Sequence, residues 1–141
     1  MAILNYTTSI QPEKTIGEIQ KKLSNQGAKS IMIDYDDNGN PSGIQFMILI
    51  DNYPINYKLP SNWKGVLRVM TQQKCPRQYL NNNQAIRTSW RIIKDWLIAQ
   101  FALIESGQAE LQEILLPYVM TNNGETLYNR FLQNSQKMLA E

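Results

Sequence analysis

Histidine is absent from this 141-residue chain, and cysteine occurs once, at Cys75. Without histidine there is no side chain with an ordinary pKa near neutrality for general acid–base work, and no Ser–His or Cys–His nucleophile pairing. A lone cysteine excludes an internal disulfide and leaves the Cys/His spacings of zinc sites with nothing to build on. Catalysis would have to run on carboxylates or lysine. The expectation is therefore a protein that is not an enzyme and uses no metal and no cofactor. The glycines at 39, 43 and 65 have neither phosphate-loop nor dinucleotide spacing. No basic leader precedes an apolar run, and FMILI at 46–50 is among the longest apolar runs, far too short for a bilayer. A cytoplasmic protein is expected.

Acids are missing from one long stretch. Residues 52–94 hold Lys58, Lys64, Arg68, Lys74, Arg77, Arg87, Arg91 and Lys94 and no Asp or Glu, whereas the flanking parts are net acidic and the whole chain is only +2. A block of this kind argues for an anionic partner, with a solvated basic face as the plain alternative.

What is present reads as one α+β domain over residues 1–141, with hydrophobic content of 43% and charged content of 18%, ordinary for a globular chain. ILNYTTSI predicts a first strand from its β-branched and aromatic residues. A helix is predicted over QPEKTIGEIQKKLSNQG, with Pro12 and Glu13 at its start, Ile16, Ile19 and Leu23 on one stripe and Gly27 after its end. AKSIMIDYD alternates, with Ile31, Ile33 and Tyr35 on the face to be buried. The Asn38-Gly39 turn should fold GIQFMILID back against it, and the Asp34, Asp36 and Asp37 cluster serves that turn more naturally than a metal. Tyr53-Pro54 should break the pattern before a short edge strand, INYKL. The fold class expected is a small antiparallel sheet with one helix over residues 1–60, then a mostly helical half over 61–141 containing a long central helix.

That half holds a helix from about Asn62 with Trp63, Val66, Leu67 and Met70 on one side, and an Asn-rich loop CPRQYLNNNQ. The long helix starts near Asn83 and is apolar on two faces, so it needs two partners, either parts of its own fold or a second subunit. QAELQEILLPYV should resume a helix, and LYNRFLQNSQKML should form the last one.

Arg87, Arg91 and Lys94 are spaced i, i+4 and i+7 on one face near the start of the long helix, where the dipole disfavours cations. A bound phosphate would reverse that sign, meeting free N–H groups and a guanidinium together. The alternative is an acid from the N-terminal half that pairs with them. Tyr79 is the candidate stacking ring and Asn83 a polar contact, while Arg68 and Arg77 flank the same region. Trp90 and Trp96 sit at core spacing. Tyr128 and Arg130 offer a second contribution from near the last helix start.

The blocks NYTTSIQPEKTIGEIQKKLSNQGA, LPSNWKGVLRVM, RTSWRIIKDWLIAQFALIESGQAELQEILLPYVM and GETLYNRF resemble a family of small phage and prophage proteins, from about Asn5 to Phe131. That family is identified as Thoeris anti-defence protein 1. The resemblance implies a sponge in the cytoplasm of the infected bacterial host, binding a cyclic ADP-ribose signal without cleaving it. It also implies cyclic trinucleotides at a separate site, and a homodimer or higher homo-oligomer. Family ligand contacts are arginines, an aromatic ring and an asparagine, none of which the resemblance fixes to a position here. A nucleic-acid-binding accessory protein is the alternative function, and a direct inhibitor of a host protein a third.

Overall fold

The computed structural model describes residues 2–140 and, within them, every side chain except those of 136–138. Helix α1 (Pro12–Asn25) begins with Pro12 in its first turn, and the chain leaves it through Gly27 at φ +99°, a conformation that costs glycine little. Strands β1 (Ala28–Tyr35), β2 (Pro41–Ile50) and β3 (Tyr53–Pro60) form an antiparallel meander in the order β1-β2-β3. Asp36 closes the first turn by accepting from the N–H groups of Asn38 and Asn40, both at 2.9 Å. The second turn uses Asp51 and Asn52, both at positive φ as a two-residue hairpin loop demands.

One face of the sheet is buried. Ile44, Phe46 and Ile48 lie opposite Ile33, Ile31 and Ala28 on β1 and Leu59, Tyr57 and Ile55 on β3. Phe46 and Tyr57, a cross-strand pair, stack with ring centroids 5.2 Å apart. Ile16, Ile19 and Leu23 of α1 join the same hydrophobic cluster.

Helix α2 (Trp63–Gln72) is capped by Asn62, whose Oδ1 accepts from Gly65 N at 3.1 Å. Helix α3 (Asn82–Glu105) is capped by Asn81 in the same way, through Gln84 N at 2.8 Å. It packs against both α1 and α2; Ile86, Trp90, Leu97 and Phe101 are buried, whereas Ile92, Trp96 and Leu103 are half-buried and Ile98 and Ala99 exposed. Trp90 is fully buried and donates from Nε1 to the Pro41 carbonyl at 3.1 Å, which makes it core. Helix α4 (Leu111–Leu115) follows, then a 3-10 turn (Leu116–Tyr118), then α5 (Leu127–Leu139). The fold class is α+β as expected, a sheet-and-helix half followed by a mostly helical one with a long α3.

Four local expectations are corrected. ILNYTTSI is not a strand: residues 4–7 form turns with Asn5 at φ +66°, and the segment lies across α3, whose side chains take its carbonyls in place of a sheet partner. Tyr35 is exposed, because a register shift between Asp34 and Tyr35 ends the alternation. Tyr53-Pro54 lies inside β3, since Pro54 on an edge strand need not donate to a neighbour. The helix over QAELQEILLPYV stops at Leu115 and tightens into the 3-10 turn that contains Pro117, which cannot donate to a continuing helix.

Candidate functional site

Helix α3 carries the three cations of interest, and they have different partners. Lys94 Nζ lies 2.6 Å from Glu18 Oε2, and Arg91 Nη1 lies 3.4 Å from Glu18 Oε1 and 3.4 Å from Thr15 Oγ1. Both partners are on α1, one turn apart, so this cluster fastens α1 to α3. Lys94 hydrogen-bonded to it holds the Glu18 carboxyl below its ordinary range; partial burial opposes this, and the charges of Lys94, Arg91 and Lys14 reinforce it. Arg87 stands apart. Its Nη2 and Nε donate to Gln84 Oε1 at 2.6 and 3.2 Å, and among the described residues it has no carboxylate partner.

Gln84 organises the start of α3. It is buried, and its Nε2 donates to the carbonyls of Tyr6 and Thr8, both at 2.8 Å, while its Oε1 accepts from Arg87. Every hydrogen-bonding position of the amide is thereby used in holding residues 5–8 and one guanidinium together. Thr88 Oγ1 adds a bond to the Asn5 carbonyl at 3.1 Å, and Asn5 Nδ2 donates to Asp95 at 2.8 Å. The N-terminal segment is thus a strap over the first four turns of α3. It brings Tyr6 edge-on to Tyr79, with ring centroids 5.6 Å apart. Tyr79 belongs to the short 3-10 turn Arg77–Tyr79 that leads into α3.

Asn81 accepts from the Gln84 N–H through its side chain and from the Ala85 N–H through its carbonyl. The N–H groups of the exposed Asn82 and Asn83 come before these, in the part of the helix where no intrahelical acceptor exists. The first turns of α3 therefore combine the positive end of the helix dipole, two such N–H groups and a guanidinium with no counter-ion among the described residues, and the Tyr6–Tyr79 ring pair belongs to the strap and the turn that lead into them. Arg77, at the start of the preceding turn, is exposed, and so is Arg68 on α2.

Tyr128 and Arg130 are elsewhere. They line a groove of about 740 Å³ between α5 and the 3-10 turn Leu116–Tyr118, together with Leu116, Pro117, Leu127 and Phe131. The nine candidates thus fall into separate sets. Arg77, Tyr79, Asn83 and Arg87 lie at or next to the start of α3, Arg91 and Lys94 belong to the α1–α3 ion cluster, Arg68 is on α2, and Tyr128 and Arg130 are on α5. Asn5, Tyr6 and the bridging role of Gln84 are absent from the sequence-based list. Nothing local marks a turn residue such as Asn5 as the partner of a side chain ninety positions away.

No family model matches the chain, and neither a curated protein nor a solved structure matches it.

Proposed function

We propose that the protein binds a small phosphorylated nucleotide at the start of α3 and holds it unchanged. The role is that of a sponge for a cyclic ADP-ribose-type signal, as the family resemblance implies. The observation that carries this reading is Arg87, a guanidinium fixed in place by Gln84, without a carboxylate partner among the described residues, on the same helix start as the Asn82 and Asn83 N–H groups that precede the first intrahelical bond. A phosphate there would gain a charge-assisted fork and the helix dipole together, and would remove the unfavourable juxtaposition of a cation with the dipole. The Tyr6–Tyr79 pair supplies an aromatic surface for a base, and Asn83 a polar side chain for ribose or base edges. Arg77 is the nearest further cation in the sequence. Arg91 and Lys94 are assigned to the α1–α3 contact, and Arg68, Tyr128 and Arg130 are not part of this site. No catalytic step is proposed.

The test is isothermal titration against cyclic ADP-ribose isomers, ADP-ribose, NAD and cyclic trinucleotides, with each bound molecule heat-released and identified by mass spectrometry. The expected result is saturable binding of at least one of them, recovered intact. Arg87→Ala should weaken it by about 2 kcal/mol, roughly 30-fold, without unfolding the chain. Cleavage of the bound molecule, or binding indifferent to Arg87→Ala, refutes the reading. Binding only to oligonucleotides, with a steep salt dependence, would move the basic block to nucleic acid instead.

A further inference from the structure

The strap over α3 and the residues beside it have no share in the hydrophobic core. None of the apolar side chains of residues 2–10 belongs to the buried cluster or packs against it, and Leu4 is 59% exposed. Among the described residues, no backbone hydrogen bond joins residues 2–10 to the rest of the chain. The one they make, from Thr8 N to the Asn5 carbonyl at 3.1 Å, is internal. Five bonds through side chains hold them in place. The Ile3 N–H donates to Gln73 Oε1 at 2.7 Å, just past the end of α2. The other four join Asn5, Tyr6 and Thr8 to Gln84, Thr88 and Asp95 of α3. The Tyr6–Tyr79 ring pair adds to them.

An attachment of this kind comes apart as a piece. Each of its bonds is exchangeable for one to water, no core side chain is uncovered by breaking them, and the turn closed by Thr8 N keeps residues 5–8 together as they lift. Lifting separates Tyr6 from Tyr79. It also frees the Gln84 amide from the two carbonyls that fix it, and the oxygen of that amide is what holds Arg87. We propose that residues 3–10 are a lid: they open from α3 as one unit while the rest of the chain stays folded, and their closed position completes the site at the start of α3. A nucleotide that stacks on the ring pair with a phosphate at Arg87 binds the closed form, so occupancy and closure stabilise each other. The linkage rests on the ligand reading above; the opening does not.

Residue-resolved hydrogen exchange of the full chain tests both. The amides of Ile3, Thr8 and Ile10 are the reporters, since each N–H is hydrogen-bonded within the strap or to its anchor. They should share one opening constant, far above that of strand β2, which is paired on both sides. Asp95→Ala removes the Asn5 side-chain anchor, and Thr88→Val, of nearly the same shape, removes one of the two bonds to the Asn5 carbonyl. Each should speed exchange at all three amides by roughly 5- to 10-fold and leave β2 unmoved. Opening constants that differ among the three, or an acceleration that leaves Ile3 or Ile10 unmoved, overturns the lid. Cyclic ADP-ribose, with saturation followed by calorimetry, should slow all three amides together in proportion to its free concentration. Binding that leaves them unmoved overturns the linkage while the ligand reading stands. No binding removes the ligand reading instead, and the two variants alone then decide whether the strap opens as a unit.

Discussion

Glu18 is shared between two cations of the neighbouring helix, and its side chain is still about one-third exposed. Its carboxyl titrates below the ordinary value of 4.5 because the folded state stabilises the charged form. The unfolded chain therefore takes up this proton first as the pH falls. The stabilisation is present above about pH 4.5 and is lost as the pH drops through the depressed folded value. Glu18→Gln should cost about 1–2 kcal/mol at neutral pH, since Arg91 and Lys94 are then left together without an anion. It should also flatten the acid limb of stability, and urea unfolding at neutral pH and at about pH 3 measures both. Trp90 makes a second residue-scale case. Trp90→Phe keeps most of the packing but leaves the buried Pro41 carbonyl without its donor, and should cost about 1–3 kcal/mol in the same assay. The core role of Trp90 was legible from its helical spacing. The pairing of Arg91 and Lys94 was legible only as an alternative, because the acid that meets them lies more than seventy residues earlier in the chain.

At the scale of elements, one amide holds two of the carbonyls of the strap over residues 5–8. Gln84→Leu removes the donor to the Tyr6 and Thr8 carbonyls and the acceptor for Arg87 at once. It should cost about 2–3 kcal/mol and raise amide exchange and proteolysis in the first ten residues, while the sheet stays protected. Two helix starts were marked in the sequence by local causes, Pro12 at α1 and the Asn62 region at α2, whereas the stop at Leu115 ahead of Pro117 was missed. The first hairpin was marked by the Asn38-Gly39 turn and the alternation before it, but the register shift that exposes Tyr35 was not. Nor was the strap. Its composition suits a strand, and only the side chains of Gln84 and Thr88 decide against one. Of the candidate site, the Arg87 end of α3 was visible as a cation out of place at a helix start. Its ring partner Tyr6 comes from the opposite end of the sequence and was hidden for that reason.

Across the whole molecule, the +8 block of residues 52–94 does not act as one surface. Two of its cations fasten helices together, Arg87 is held by an amide, and Lys64 lies 5.7 Å from the Trp63 ring centroid. Salt should therefore act unevenly: it should weaken the proposed binding of a phosphate at Arg87 more than it lowers the unfolding midpoint, since the Glu18 cluster is partly shielded from solvent. Parallel titrations and thermal melts at low and high ionic strength separate the two effects. The strap has a consequence for the order of events during synthesis. Asn5, Tyr6 and Thr8 are translated some eighty to ninety residues ahead of their partners Gln84, Thr88 and Asp95. At cellular elongation rates that interval is roughly 4–18 s, long compared with the formation of the β-hairpins between them. Residues 5–8 are therefore among the last to reach their places, and anything that engages this segment in that interval competes directly with the closing of the fold.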